Sequence, residues 1–225
     1  MPFRAVLFDV GGPLDTEASA EPLVDAHIRA ALAAEGIDIT DAEYAAANQW
    51  AVESFAWNTY QAIFWRLCGG NREMAARFST SNAGRQFELR DGIPALLQTL
   101  HARGLLMGLA ANQPTKTIAR LDEFGIGHYF AHREVSETHG FRKPDVRLFL
   151  RACDDLGVHP GETIMVGDRI DNDVVPANNL GIYTILFRTG RHIAQQPRTL
   201  AEVPAAEVHD VQGLQAAILA AVDGL

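Results

Sequence analysis

Four consecutive apolar residues, Ala5–Val6–Leu7–Phe8, run straight into Asp9 and then into Gly11–Gly12–Pro13. The run is short and β-rich enough for a buried strand, and the glycines and proline that follow mark a turn. The stretch Phe3–Thr16 therefore predicts a carboxylate at the carboxyl end of a buried strand. In open α/β sheets ligands bind at that edge, and a glycine turn beside it lets backbone N–H groups approach an anion.

The chain beyond residue 90 alternates helix and strand. Asp91–Gly92 with Pro94 predicts the opening of a helix through Leu96, Leu97 and Leu100 to Gly104, and Leu105–Ala111 reads as a strand. Pro114 starts a helix with Ile118, Leu121 and Phe124 on one face, and Val135 falls in a short strand. Pro144–Leu156 reads as a helix stopped by Gly157, Thr163–Gly167 as a strand, and Val174–Leu180 as a helix. A strand over Tyr183–Phe187 and an amphipathic helix over Val211–Val222 follow. Such alternation indicates parallel βαβ units with right-handed crossovers. The expected fold class is α/β, a doubly wound, Rossmann-like and mostly parallel sheet, joined to a small all-helical domain.

That second domain is expected over 17–89, between core segments 1–16 and 90–225. A stripe through Val24, Ile28, Ala31 and Leu32 ends at Gly36, and Thr40 or Asp41 can cap the next helix. Trp50, Trp57 and Phe64 recur at sevenfold spacing and predict a helix-packing seam. From Glu17 to Glu53 there are eight acids and one base, Arg29, whereas Arg66 to Arg85 holds four arginines and one acid, Glu73. The second half is thus a candidate positive face.

At 225 residues the chain can bury a substantial core, and 48% hydrophobic with 21% charged residues suits a soluble globular protein. A formal charge of −9 argues against general nucleic-acid binding, which needs a basic face. It leaves room for a small anionic substrate in a local positive field. Cys68 and Cys153 lack metal-ligand spacing and read as buried thiols in a reducing compartment. No signal pattern or membrane-length apolar run is present, so a cytoplasmic setting without membrane association is expected. Either a monomer or a homodimer is compatible, the aromatics of the helical insert being the candidate contact.

Three further segments end in polar residues as the first does: Leu105–Asn112, Arg142–Lys143–Pro144 and Ile164–Asp173, the last reading IMVGDRIDND. In this order, with a helical insert after the first, the set resembles the haloacid dehalogenase-like (HAD) superfamily. Parallel strands would gather Asp9, Asn112, Lys143 and Asp168 on one sheet edge. Crowded carboxylates repel unless a cation lies between them, and all-oxygen ligation suits Mg²⁺. The resemblance implies that Asp9 is the nucleophile and that Lys143 balances its charge. It implies Mg²⁺ held by Asp9, the Gly11 carbonyl and Asp168, with Asp173 supporting, and phosphoryl transfer to a small phosphorylated metabolite. Asn112 and Gly12 are the candidate substrate contacts. The insert resembles the family's helical cap, in which His27, Arg66, Arg72, Arg77 and the tryptophans are candidates for specificity.

Two positions depart from the family pattern. Family phosphatases carry a second aspartate, a general acid and base, where this chain has Gly11. They carry Ser or Thr where it has Ala111. Loss of acid–base help typically costs about 10²–10⁴-fold. Two other readings therefore stand beside a phosphatase: a catalytically impaired module that binds metal and anion for regulation, and a 2-haloacid dehalogenase-like hydrolase. Dehalogenases of the family lack the Asp168 and Asp173 type of metal motif, which this chain keeps.

Overall fold

The computed structural model describes residues 3–80, 83 and 86–224. In chain order its principal elements are β1 (Ala5–Phe8), α1 (Ala20–Ala34), α2 (Asp41–Glu53), α3 (Thr59–Leu67), α4 (Arg72–Arg77), α5 (Ile93–Ala102), β2 (Leu106–Leu109), α6 (Lys116–Glu123), α7 (Ser136–His139), α8 (Arg147–Leu156), β3 (Thr163–Gly167), α9 (Val175–Asn179), β4 (Tyr183–Phe187), β5 (Ala206–Val208) and α10 (Val211–Asp223). They divide into two compact units. One comprises Met1–Thr16, Leu89–Ile193 and Pro197–Leu225; the other comprises Glu17–Glu88 with Ala194–Gln196.

The first unit is built on a five-stranded sheet of order β2-β1-β3-β4-β5, parallel at every pairing. β1 lies between β2 and β3, and all four of its residues are fully buried. A parallel sheet covered on both faces requires such an apolar run. α8 presents Leu148, Phe149, Ala152, Cys153 and Leu156 to the core formed with Ala5, Leu7 and Met165. Their spacing makes a stripe on one helix face, and Gly157, in the left-handed region, ends the helix. β5 adds an edge strand that the sequence did not announce.

The second unit has its own core. Val24, Ile28 and Leu32 line one side of α1 and meet Tyr44, Ala47 and Ala51 of α2 and Ile63 and Phe64 of α3. Thr40 starts α2 with a capping box, its hydroxyl accepting from Glu43 N–H while the Glu43 carboxylate accepts from Thr40 N–H.

Several local expectations are corrected. The sevenfold seam does not form: Trp57 lies between α2 and α3 and is 61% exposed, Trp50 stacks on Trp65, and Phe64 stacks on Phe78. The positive face is partly cancelled, because Arg77 pairs with Glu35 and Glu73 while the Arg66 guanidinium lies over the Trp50 ring. Arg85 lies outside the described residues. Phe124 is exposed, so the buried side of α6 rests on Leu121. Val135 is the N-cap of α7, and the strand-like contact nearby belongs to His132, which bridges to Gly108 of β2. Both cysteines are buried free thiols. Among the described residues no helix is long and apolar enough to cross a membrane.

Candidate active site

Asp9 continues the line of β1. Its N–H donates to Val166 O of β3 at 2.9 Å, Oδ1 accepts from Val10 N–H at 2.8 Å, and Oδ2 lies 2.9 Å from Lys143 Nζ. Lys143 arrives from the loop before α8, in a cis peptide with Pro144, and its side chain is 1% exposed. Its ammonium also donates to Asp173 Oδ1 at 2.6 Å. Asp173 sits in a π-helical turn, Ile170–Val174, immediately after β3, and its Oδ2 accepts from Arg169 N–H at 3.0 Å.

Two glycines make this crowding feasible. Gly12 has φ +83°, and a Cβ there would lie 2.7 Å from Asp168 Cγ. A Cβ on Gly167 would fall within the Asp173 carboxylate. The main chain thus passes close to the two acids that follow β3.

One carboxylate oxygen from each of Asp9, Asp168 and Asp173 lies within 4.8 Å of the other two. Three carboxylates face one ammonium, leaving two negative charges in excess. Burial is the dominant influence on Asp173 and pushes its carboxyl up to about 6, against the pull of Lys143. Burial opposes the Lys143 charge, but Asp173 and Asp9 outweigh it and hold the ammonium above the ordinary lysine value. Excess charge of this kind is relieved by a divalent cation with oxygen ligands, so the residues present fit Mg²⁺. Asp173 gives its two oxygens to Lys143 and Arg169, and Asp9 gives its two to Val10 N–H and Lys143, so an ion at this cluster would share oxygens already in use.

The other expected site residues have structural partners. Asn112 clamps the main chain of Lys143: its Oδ1 accepts from Lys143 N–H at 2.8 Å and its Nδ2 donates to Lys143 O at 3.0 Å. Gly12 N–H donates to Asp15 O, and Gly12 O accepts from Arg90 Nε at 3.0 Å and Nη2 at 2.7 Å. Both residues, expected as substrate contacts, are engaged with groups of the protein itself. Gly11 is bridged to Asp15, and Ala111 is fully buried.

Three basic residues near this edge escaped the sequence reading. Arg90 holds the Gly12 turn and also donates to Thr189 Oγ1 at 2.8 Å. Arg169 pairs with Asp171 at 2.6 Å; burial works against its charge, but Asp171 together with Asp168 and Asp173 keeps its pKa above the usual arginine value. Burial, with Arg169 and Arg191, holds the His192 imidazole well below its ordinary pKa. Only Arg169 had a local signal, through its place between Asp168 and Asp171.

A family model described as haloacid dehalogenase-like hydrolase matches residues 3–181. The glyceraldehyde 3-phosphate phosphatase of Methanopyrus kandleri is 36% identical over 119 residues, 52% of this chain and 51% of that protein. The phosphoserine phosphatase of Thermus thermophilus is 33% identical over 120 residues, 53% of this chain and 47% of that protein. The chain spans about half the length of these curated relatives. Among solved structures, YfnB from Bacillus subtilis, bound to magnesium, superposes with a TM-score of 0.68 at 20% identity, covering 97% of this chain and 99% of that one. That likeness is one of fold. With four-fifths of its length matched and the motif carboxylates and lysine gathered at one sheet edge, the chain belongs to the haloacid dehalogenase-like hydrolases.

Proposed function

We propose that the chain hydrolyses a phosphate monoester of a small metabolite, with Asp9 as nucleophile and Lys143 as the charge that steadies it. Mg²⁺ would be held by Asp9, Asp168 and the Gly11 carbonyl, with Asp173 behind them. The observation that carries this reading is the buried Lys143 ammonium set between Asp9 and Asp173, in a cluster that still lacks two positive charges. When bound, Mg²⁺ supplies positive charge to the phosphoryl oxygens as bonds are exchanged.

Asp9 attacks phosphorus through a carboxylate oxygen, and the ester P–O bond breaks. The alkoxide leaving group takes a proton from water. Water then attacks the aspartyl phosphate, releasing inorganic phosphate and restoring Asp9. The fixed ammonium of Lys143 lies against the attacking Asp9 oxygen and offsets negative charge at the phosphoryl group as it is transferred. Gly11 provides no acid for the first step, so esters with good leaving groups are the best substrates. The two phosphatases named above are called after different esters, which supports the reaction and leaves the ester open. Carbon–halogen cleavage, the dehalogenase alternative, displaces halide without a metal ion and leaves the carboxylates of Asp168 and Asp173 beside Asp9 without a purpose.

The test is turnover of p-nitrophenyl phosphate with Mg²⁺ and with EDTA, for wild type, Asp9→Asn and Gly11→Asp. Metal-dependent turnover that disappears in Asp9→Asn is expected. Gly11→Asp should raise the rate on alkyl phosphates by about 10²-fold, the usual worth of a general acid. If wild type binds Mg²⁺ but neither protein turns over any ester, the regulatory-module reading replaces this one, and Gly11 with Ala111 explains why.

A further inference from the structure

The loop that follows β2 and the loop that carries Lys143 enclose a cavity of about 360 Å³ for which the bond exchange at Asp9 has no use. Its wall contains Asn112, Gln113 and Pro114 from the first loop, Glu137 from α7, and Phe141 and Arg142 from the second. All of them belong to the unit built on the sheet. The cavity lies at the carboxyl edge, where α/β sheets bind ligands. β1 and β2 pair Phe8 with Leu109, so Asp9 is level with Ala110, and Asn112 lies two residues further along. With strands about 4.8 Å apart and about 3.3 Å per residue, the Asp9 and Asn112 main chains are roughly 8 Å apart. A small metabolite held by its phosphoryl group at Asp9 is long enough to span that distance.

The wall is shaped before any ligand arrives. The Phe141 ring stacks on that of His139, with centroids 5.0 Å apart, and the Arg147 guanidinium lies 4.9 Å from its centre. Asn112 is fixed by its clamp on the Lys143 main chain. The polar groups are mainly donors. Gln113 gives its side-chain oxygen to the Thr117 hydroxyl, and Asn112 spends one amide hydrogen on Lys143 O, so both keep amide hydrogens to donate. Arg142, exposed at the rim, adds a guanidinium. Glu137, the anion in this wall, is spent on the start of α6. Its Oε2 accepts from Thr115 N–H and Oγ1, both at 2.7 Å, and those bonds hold its carboxyl below the ordinary pKa. Planar amide and guanidinium donors match a planar, negatively charged acceptor, which is a carboxylate.

We propose that this cavity receives a carboxylate borne on the non-reacting part of the ester, with the Arg142 guanidinium as its counter-charge. The inference rests on the hydrolysis reading above and narrows it to phosphate esters of short hydroxy acids. Contacts made there orient the phosphoryl group against Asp9 without taking part in bond exchange.

The test uses the full chain with Mg²⁺ and two phosphonates, whose P–C bond the reaction does not break. One is 3-phosphonopropionate, which bears the carboxylate; the other is propylphosphonate, which lacks it. Calorimetric titration should show the first binding about tenfold more tightly, as a hydrogen bond to a charged group typically gives. The preference should vanish in Arg142→Gln. It should persist in Arg103→Gln, which removes the same charge before β2, at the opposite edge of the sheet. Both arginines are exposed, so neither exchange threatens the fold. Equal affinities in wild type, failure of both phosphonates to bind, an unchanged preference in Arg142→Gln or an equal loss in Arg103→Gln overturns the proposal. Turnover of p-nitrophenyl phosphate is read in parallel. Turnover without the carboxylate preference removes this cavity and keeps the hydrolysis reading, whereas the preference without turnover removes the hydrolysis reading and keeps the carboxylate site.

Discussion

Lys143 carries its charge where water does not reach, and it has two anions within 3 Å. Breaking such a buried pair from one side typically costs about 3–5 kcal/mol, because the remaining charge is stranded. The lysine is useful only if its main chain is fixed, and Asn112 fixes it by accepting from the Lys143 N–H and donating to the Lys143 carbonyl. Asn112→Leu is therefore expected to destabilise the protein by about 1–3 kcal/mol, the penalty for leaving partly buried groups unpaired. It should lower kcat on p-nitrophenyl phosphate more than it raises KM. Denaturant unfolding and steady-state kinetics check the two halves. In the sequence Asp9 and Asp168 close apolar strand runs, whereas Lys143 and Asp173 were expected through the motifs of the family resemblance, and the structure brings the four to one edge of the sheet. The partner of Asn112 lies 31 positions away and that of Arg90 lies 78 positions away. No local pattern records contacts of that range, so Asn112 was read by its side-chain chemistry alone and its clamp was missed.

Elements with strong punctuation were read well, and weakly punctuated ones were not. Thr163–Gly167 and Tyr183–Phe187 matched β3 and β4 residue for residue, because glycines and polar turns bound their apolar runs. β5 has three residues, of which only Val208 is buried, too short a run for alternation to register. The aromatic seam failed for a different reason. A sevenfold repeat presupposes one continuous helix, but α2 ends at Glu53, Phe55 takes φ +54°, and Asn58 caps a new helix by accepting from Gln61 N–H. Trp57 sits in that break. Caps thus govern the helical unit, and Thr40→Ala should remove about 1 kcal/mol from its stability. A thermal melt monitored at the helical circular-dichroism signal reads this, and an unchanged midpoint would show that the capping box contributes nothing net.

Across the whole molecule the formal charge is −9, yet the His192 imidazole is buried among guanidinium groups. Its pKa in the folded protein lies well below the ordinary 6.5, so the folded state keeps it neutral while the unfolded chain takes up a proton. The unfolded state binds more protons below about pH 6.5, and stability falls as pH falls through that region, being fully present above it. The denaturation midpoint should therefore drop between pH 7.5 and 5.5, and His192→Gln should show a shallower drop. Parallel curves for the two proteins would remove His192 as the cause.

The sheet order also bears on how the protein is made. β1 is made well before either of its neighbours, β2 starting at Leu106 and β3 at Thr163. At about 5–20 residues per second, the apolar strand waits many seconds for the partner that covers its second edge. Asp9 is synthesised well ahead of Lys143, Asp168 and Asp173. Until β3 emerges the nascent polypeptide thus carries an apolar strand with an uncovered edge, which makes β1 a segment for chaperone binding and an aggregation risk when translation slows.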